Sequence, residues 1–111
     1  MSVSKGDVFA SQWGYDMTIV CYYEVLHVSA SGRTVTVREL KRRTAPEQWG
    51  GDMHVEPVLA GEDRFKKGSE PFRRRVKEYG GAPYIAVQDS ENAYLQDALE
   101  LIDGLTENTL D

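Results

Sequence analysis

Three sets of side chains in this chain have the types and spacing to do chemistry, and all three point to binding rather than bond-making. The first is the turn Trp13-Gly14-Tyr15-Asp16-Met17-Thr18, where flat rings sit beside a carboxylate and a hydroxyl. Such a corner can stack on a base or grip a partner's side chain through Trp13, Tyr15, Asp16 and Thr18. The competing reading is a structural plug, with the rings closing one end of a sheet. The second set is Phe72 to Lys77. Strand alternation places Arg73, Arg75 and Lys77 on one face at about 7 Å per residue pair, with Phe72, Arg74 and Val76 on the other. A row of this kind can follow a phosphate backbone. Lys66 and Lys67 lie just upstream with Arg64, and Lys41-Arg42-Arg43 widens the patch if the fold brings strand three alongside. The plainer alternative is a solvated strand face that pairs with acids or deters edge-to-edge association. The third set is acidic. Asp97, Glu100 and Asp103 punctuate an apolar stripe near the C terminus, either facing a basic partner or forming the wet side of a surface helix.

Signatures of catalysis are missing from the sequence. Cys21, the one cysteine, has no second thiol for a disulfide or a Cys-x-x-Cys site and reads as a small buried hydrophobe. His27 and His54 have no neighbour at metal-ligand spacing. No phosphate-binding glycine loop, nucleophile elbow or dinucleotide fingerprint occurs. Asp16, Glu24, Asp52 and Glu56 offer carboxylates, but their spacing singles out no acid–base pair. The expectation is a protein with no enzymatic activity, no cofactor and no metal.

Charge is sorted along the chain. The formal net charge is -5, yet residues 33–77 hold twelve basic and seven acidic residues, while residues 78–111 hold eight acidic ones and no lysine or arginine. A hydrophobic fraction of 41% with 28% charged residues fits one globular domain at 111 residues. No apolar run has membrane-spanning length and no signal-peptide pattern opens the chain, so a cytoplasmic protein with no membrane association is expected.

The elements that would position these residues read as strands. Val3–Phe9 is a short first strand, and Gly14 can take positive φ in the loop after it. Thr18–Ser29 is the longest β-type segment. Its alternation is imperfect, which requires either cover on both faces or a bulge. Ser29-Ala30-Ser31-Gly32 turns it into an antiparallel partner, Arg33–Lys41. Further strands follow at Met53–Leu59, Phe72–Tyr79 and Pro83–Val87, with Pro57 marking an edge or a strand end. From Ser90 the apolar positions Tyr94, Leu95, Ala98, Leu99, Leu101, Ile102 and Leu105 recur at helical spacing, with Asp89 or Ser90 as cap and Gly104 as stop. The fold expected is therefore mainly β with one C-terminal helix: residues 1–89 as a small, strongly bent antiparallel sheet or SH3-like barrel of five to six strands, residues 90–105 as an acidic amphipathic helix packed on it or extending from it, and residues 106–111 as a frayed tail.

Gly6-Asp7-Val8-Phe9, Trp13 to Thr18, Tyr22-Tyr23-Glu24-Val25 and Thr34-Val35-Thr36-Val37-Arg38-Glu39 together resemble a group of small uncharacterised proteins carried by bacteriophages and other mobile elements. Phe72-Arg73-Arg74-Arg75-Val76, Tyr84-Ile85 and Ala93-Tyr94-Leu95 extend the likeness over roughly residues 6–95. Members of the group often carry Gln and Asn where this chain has Met17 and Ile19. The resemblance implies a small β fold and a phage setting, and brings no established activity with it. With the features above it leads to a specific expectation: a cytoplasmic accessory protein, monomer or homodimer, that binds a host protein or protein–nucleic-acid complex, as an anti-CRISPR-like inhibitor of host defence does. The alternative is a nucleic-acid-binding barrel using residues 73–77 and nearby rings.

Overall fold

The computed structural model describes residues 3–14, 19–44, 52–88, 90–97, 101 and 105–108. It is mainly β. One antiparallel sheet is built from β1 (Val8–Trp13), β2 (Ile19–Val28), β3 (Thr34–Leu40), β6 (Phe72–Arg75), β7 (Lys77–Tyr79), β8 (Ala82–Gln88) and β9 (Glu91–Gln96). A second sheet joins β4 (Arg42–Thr44), β5 (Asp52–Pro57) and β10 (Leu105–Asn108), with β5 in the middle.

In the larger sheet the strands run β6-β3-β2-β1-β9-β8-β7, so the two edges are β6 and β7. These edges follow each other in sequence with only Val76 between them. A sheet whose edges are separated by one residue must curl until they meet, and here it forms a barrel-like trough. Two contacts close the seam. The Val76 N–H donates to the Arg33 carbonyl at 2.7 Å, and the Arg74 guanidinium reaches across to the carbonyls of Ala86 and Val87 at 2.9–3.3 Å. A side chain thus satisfies acceptors that an open edge would leave available to another chain.

The central strands are covered on both faces. Phe9, Cys21, Tyr23, Val25, Val35, Val37, Ile85 and Ala93 point into the trough. Val8, Ala10, Val20, Tyr22 and Leu40 point outward and pack under the second sheet, against Val55. This explains the run of apolar residues without clean alternation in β2. A bulge between Val25 and His27 supplies the phase shift as well, so both expected causes operate. The Tyr22 hydroxyl donates to the Val55 carbonyl at 2.9 Å and ties the two sheets together. The 29–32 turn forms as expected: Ser29 and Thr34 bond across it and Gly32 takes φ 76°. Pro57 ends β5, where its missing N–H costs nothing.

The sequence reading is corrected in two places. The described residues form ten strands rather than five to six, because the segment 72–79 breaks at Val76 and β4, β9 and β10 are added. The helix expected over 90–105 is absent at both ends of that range, which are strands β9 and β10. Leu101 does accept the helical geometry locally, its N–H donating to the Asp97 carbonyl at 3.1 Å. Glu100, Asp103 and Gly104 lie outside the described residues. The physical reason for the miss is Glu91. Ala93 and Leu95 share its inward face, and an acid on that face disguises the period-two pattern, whereas Tyr94 and Leu95 fit helical spacing equally well. Ser90, expected as a helix cap, instead sits at φ 66° just before Glu91, which pairs with Gln88 across the hairpin, and Asp89 lies outside the described residues.

Candidate nucleic-acid interface and the trough interior

The seam strand carries the row anticipated from its alternation. Arg73, Arg75 and Lys77 are exposed, while Phe72, Arg74 and Val76 are half-buried. Register places Arg73 beside Thr36 and Arg75 beside Thr34, and Arg33 bonds to the same strand through Val76. Among the described residues none of Arg33, Arg73, Arg75 and Lys77 has a carboxylate within ion-pair distance. Lys77 is the cross-strand neighbour of Tyr84, which is the neighbour of Tyr94. The two rings lie 5.2 Å apart with 33° between their planes, and Tyr94 is 36% exposed. Tyr79, two residues beyond Lys77, is 75% exposed. Arg73, Arg75 and Lys77 therefore lead to a shelf of tyrosines on the outer surface of one sheet, with Arg33 exposed just before β3.

The other basic residues behave differently. Arg64 makes a two-pronged pair with Glu24, Nε to Oε1 at 2.7 Å and NH2 to Oε2 at 2.9 Å. That bond holds the Arg64 guanidinium above its ordinary value, against desolvation. Both Arg64 and Arg38 place their guanidinium groups over the Phe65 ring, at 4.4 and 4.7 Å. Lys66 lies 3.6 Å from Glu39, Lys41 3.8 Å from Asp63 and Arg43 3.1 Å from Glu56. These cations pin the 58–71 loop and β4 to the sheet. Lys66 belongs with that group and lines a cleft with Phe72 and Arg74, while Lys67 is exposed on the loop. Of the acidic contact residues, Asp97 is exposed just after β9.

Trp13 ends β1 and is half-buried, with its indole N–H enclosed and, among the described residues, without an oxygen or nitrogen acceptor. Gly14 follows at φ 137°, as the turn reading required. Tyr15, Asp16 and Thr18 lie outside the described residues. Trp13 faces the interior of the trough, where the ends of β1, β2, β3, β6, β8 and β9, with Arg42 of β4 and Lys66, line an open cleft of about 680 Å3. The opposite end is filled by the valines, Phe9 and Ile85.

The cavity contains a group that sequence reasoning overlooked. Glu91 is 1% exposed and accepts three hydrogen bonds. The hydroxyls of Ser11 and Tyr23 donate to Oε2, both at 2.6 Å, and the Gln88 amide donates to Oε1 at 2.9 Å. Three donors replace the water a carboxylate loses on burial. Burial, and then the bond to Glu91, raise the Tyr23 phenol far above its ordinary range. Burial also pushes the Cys21 thiol up, with Glu39 and Glu91 adding to the shift and Trp13 and Tyr23 opposing it. Cys21 is buried and packs with Phe9, Tyr23 and Val25 in the trough. Among the described residues no three or more His, Cys, Asp or Glu side chains converge on a metal position. The one sequence signal for Glu91 was its place opposite Gln88 in a short turn, with Ala93 and Leu95 following at period two.

No family model matches the chain, and no curated protein or solved structure matches it.

Proposed function

We propose that the protein is a non-catalytic binding module that holds single-stranded nucleic acid against the seam strand. The observation that carries this reading is the run of exposed cations along the seam, Arg73, Arg75 and Lys77 on one face with Arg33 at the start of the neighbouring strand, which have no acidic partner among the described residues and end beside the Tyr84–Tyr94 shelf. Unpaired cations retain their full attraction for phosphates, and tyrosine faces accept any base. The reading in which a host protein docks on the aromatic turn and an acidic helix keeps fewer supports. Of that turn Trp13 and Gly14 are described, and the indole faces inward. In the phage setting implied by the resemblance, such a module would compete with a host defence complex for nucleic acid.

The test is a salt series with a fluorescent single-stranded oligonucleotide, read by polarisation. Four phosphate contacts at about 0.7 each give a slope of log K against log salt near -3. Between about 50 and 200 mM salt the affinity should fall about fiftyfold. The double variant Arg73→Ala, Arg75→Ala should halve that slope, leaving a fall of about sevenfold. Wild-type and variant curves that superimpose would remove the seam row from the binding surface.

A further inference from the structure

Arg74 stands in the same strand as the outer cations but faces the other way, and its chemistry is unfinished. Its Nε donates to the Ala86 and Val87 carbonyls, NH2 to Val87 and NH1 to Arg73, the last at 2.7 Å. A guanidinium has five N–H donors, so donors remain on both terminal nitrogens. The group is held rigidly by these carbonyls and lies 4.7 Å over the Phe72 ring. Among the described residues no carboxylate pairs with it. Glu91 shares the cavity but is already engaged by Ser11, Tyr23 and Gln88. Glu39, the other acid on the wall, is held by Lys66. Arg74 is thus a fixed positive charge, its terminal fork unspent, on a wall of mixed character where Trp13, Tyr23 and Phe72 stand beside Arg42 and the Lys66–Glu39 pair.

We propose that the cavity is a binding site for a small aromatic carboxylate. Its volume, about 680 Å3, falls in the roughly 300–1,000 Å3 range of small-ligand sites. Arg74 takes the carboxylate through paired N–H groups, a geometry that a lysine in its place would not reproduce. Trp13, Tyr23 and Phe72 provide ring walls, with Ile19 and Val87 completing the apolar surface. The enclosed Trp13 N–H, which among the described residues meets no oxygen or nitrogen acceptor, offers one further donor to a ring heteroatom or carboxylate oxygen. This site is separate from the nucleic-acid surface, because side chains alternate and Arg73 and Arg75 point away from it.

The experiment is calorimetric titration of the full chain with 1-naphthoate and, as an uncharged control, 1-naphthalenemethanol. A single saturable site for naphthoate is expected, with the alcohol at least about tenfold weaker because the charge-assisted fork is lost. Arg74→Lys should weaken naphthoate by about tenfold while leaving the alcohol unchanged. Because Arg74 also closes the seam, a second variant is needed that leaves it intact. Ile19→Trp fills the chamber and should abolish binding of both compounds with the melting temperature little changed. No saturable heat with naphthoate, or equal affinities for acid and alcohol, would overturn the proposal. So would naphthoate binding unaffected in the Ile19→Trp protein. Oligonucleotide binding by the Ile19→Trp protein should match wild type, which separates failure here from failure of the nucleic-acid reading.

Discussion

Tyr23→Phe probes the buried carboxylate with the least disturbance, since it deletes one oxygen and keeps the ring. The deleted hydroxyl donates to Glu91 at 2.6 Å in a part of the trough where Glu91 is 1% exposed. A hydrogen bond to a charged group contributes about 1.5–3 kcal/mol. A chain of 111 residues loses about 4 °C of melting temperature per kcal/mol, so the variant should melt roughly 6–12 °C lower at pH 7. The gap should then close in alkali. The wild-type phenol is held far above its ordinary value of 10.0 by burial first and by the bond to Glu91 second. Below pH 10 the phenol is protonated in both folded and unfolded chains, and its stabilising bond is fully present. Above pH 10 the unfolded phenol releases its proton and the folded one does not, so the unfolded state gains. Stability is lost at about 1.36 kcal/mol per pH unit, or about 2 kcal/mol by pH 11.5. The phenylalanine chain has no proton to lose there. Urea unfolding followed by circular dichroism at pH 7, 10 and 11.5 measures both proteins, and their difference cancels every other titrating group. A gap that stays constant or widens from pH 10 to 11.5 would refute the assignment of this proton to the Tyr23–Glu91 bond.

Two further predictions concern how the parts are joined. Glu24→Gln removes the acid that holds Arg64 and should free the loop over residues 58–71, so limited proteolysis should cut there severalfold faster while the strands keep their amide protection; unchanged cleavage would mean that the stacking of Arg38 and Arg64 on Phe65 holds the loop alone. Leu40→Ala opens a void between the two sheets at a position 2% exposed and should cost about 2–5 kcal/mol, seen as a lower urea midpoint with an unchanged slope.

The outcome for each segment follows from how local its physics is. The seam row was readable because alternation along Phe72 to Lys77 depends only on the strand geometry of adjacent residues. The hairpin at Ser29–Gly32 was readable for the same reason, through small residues and one glycine at positive φ. The mixed faces of β2 correctly announced double cover, but the sequence does not say that the cover is a second sheet. That sheet joins β5, which was readable, to the three-residue β4 and to β10 from the far end of the chain. Glu91 was unreadable for a stronger reason. Its inward position is stable only because Ser11, Tyr23 and Gln88 converge on it, and two of those donors lie 80 and 68 residues away in sequence. Pattern rules assign a glutamate to the solvent side, so one buried acid turned a strand into an apparent helix. The basic cluster divides on similar grounds. Spacing alone cannot show that Arg64 and Lys66 meet acids from β2 and β3 whereas Arg73 and Arg75 meet none.

The same division bears on how a chain of net charge -5 could bind a polyanion. The protein measures 45 × 32 × 27 Å, so the distance over which charge is felt decides which part of it a phosphate senses. At about 0.01 M salt the screening length is about 30 Å and the whole acidic molecule repels the strand. At about 0.15 M it is about 8 Å, little more than the spacing between Arg73 and Arg75, and the unpaired row acts nearly alone. Added salt therefore weakens a local attraction and a global repulsion together. The plot of log K against log salt should be shallow at the dilute end and steepen toward the slope of about -3 set by four contacts. A uniformly basic surface would give a straight line across the same range. A straight line here would mean that the bound strand reaches more cations than Arg33, Arg73, Arg75 and Lys77, and the assignment of the surface to the seam strand would fall.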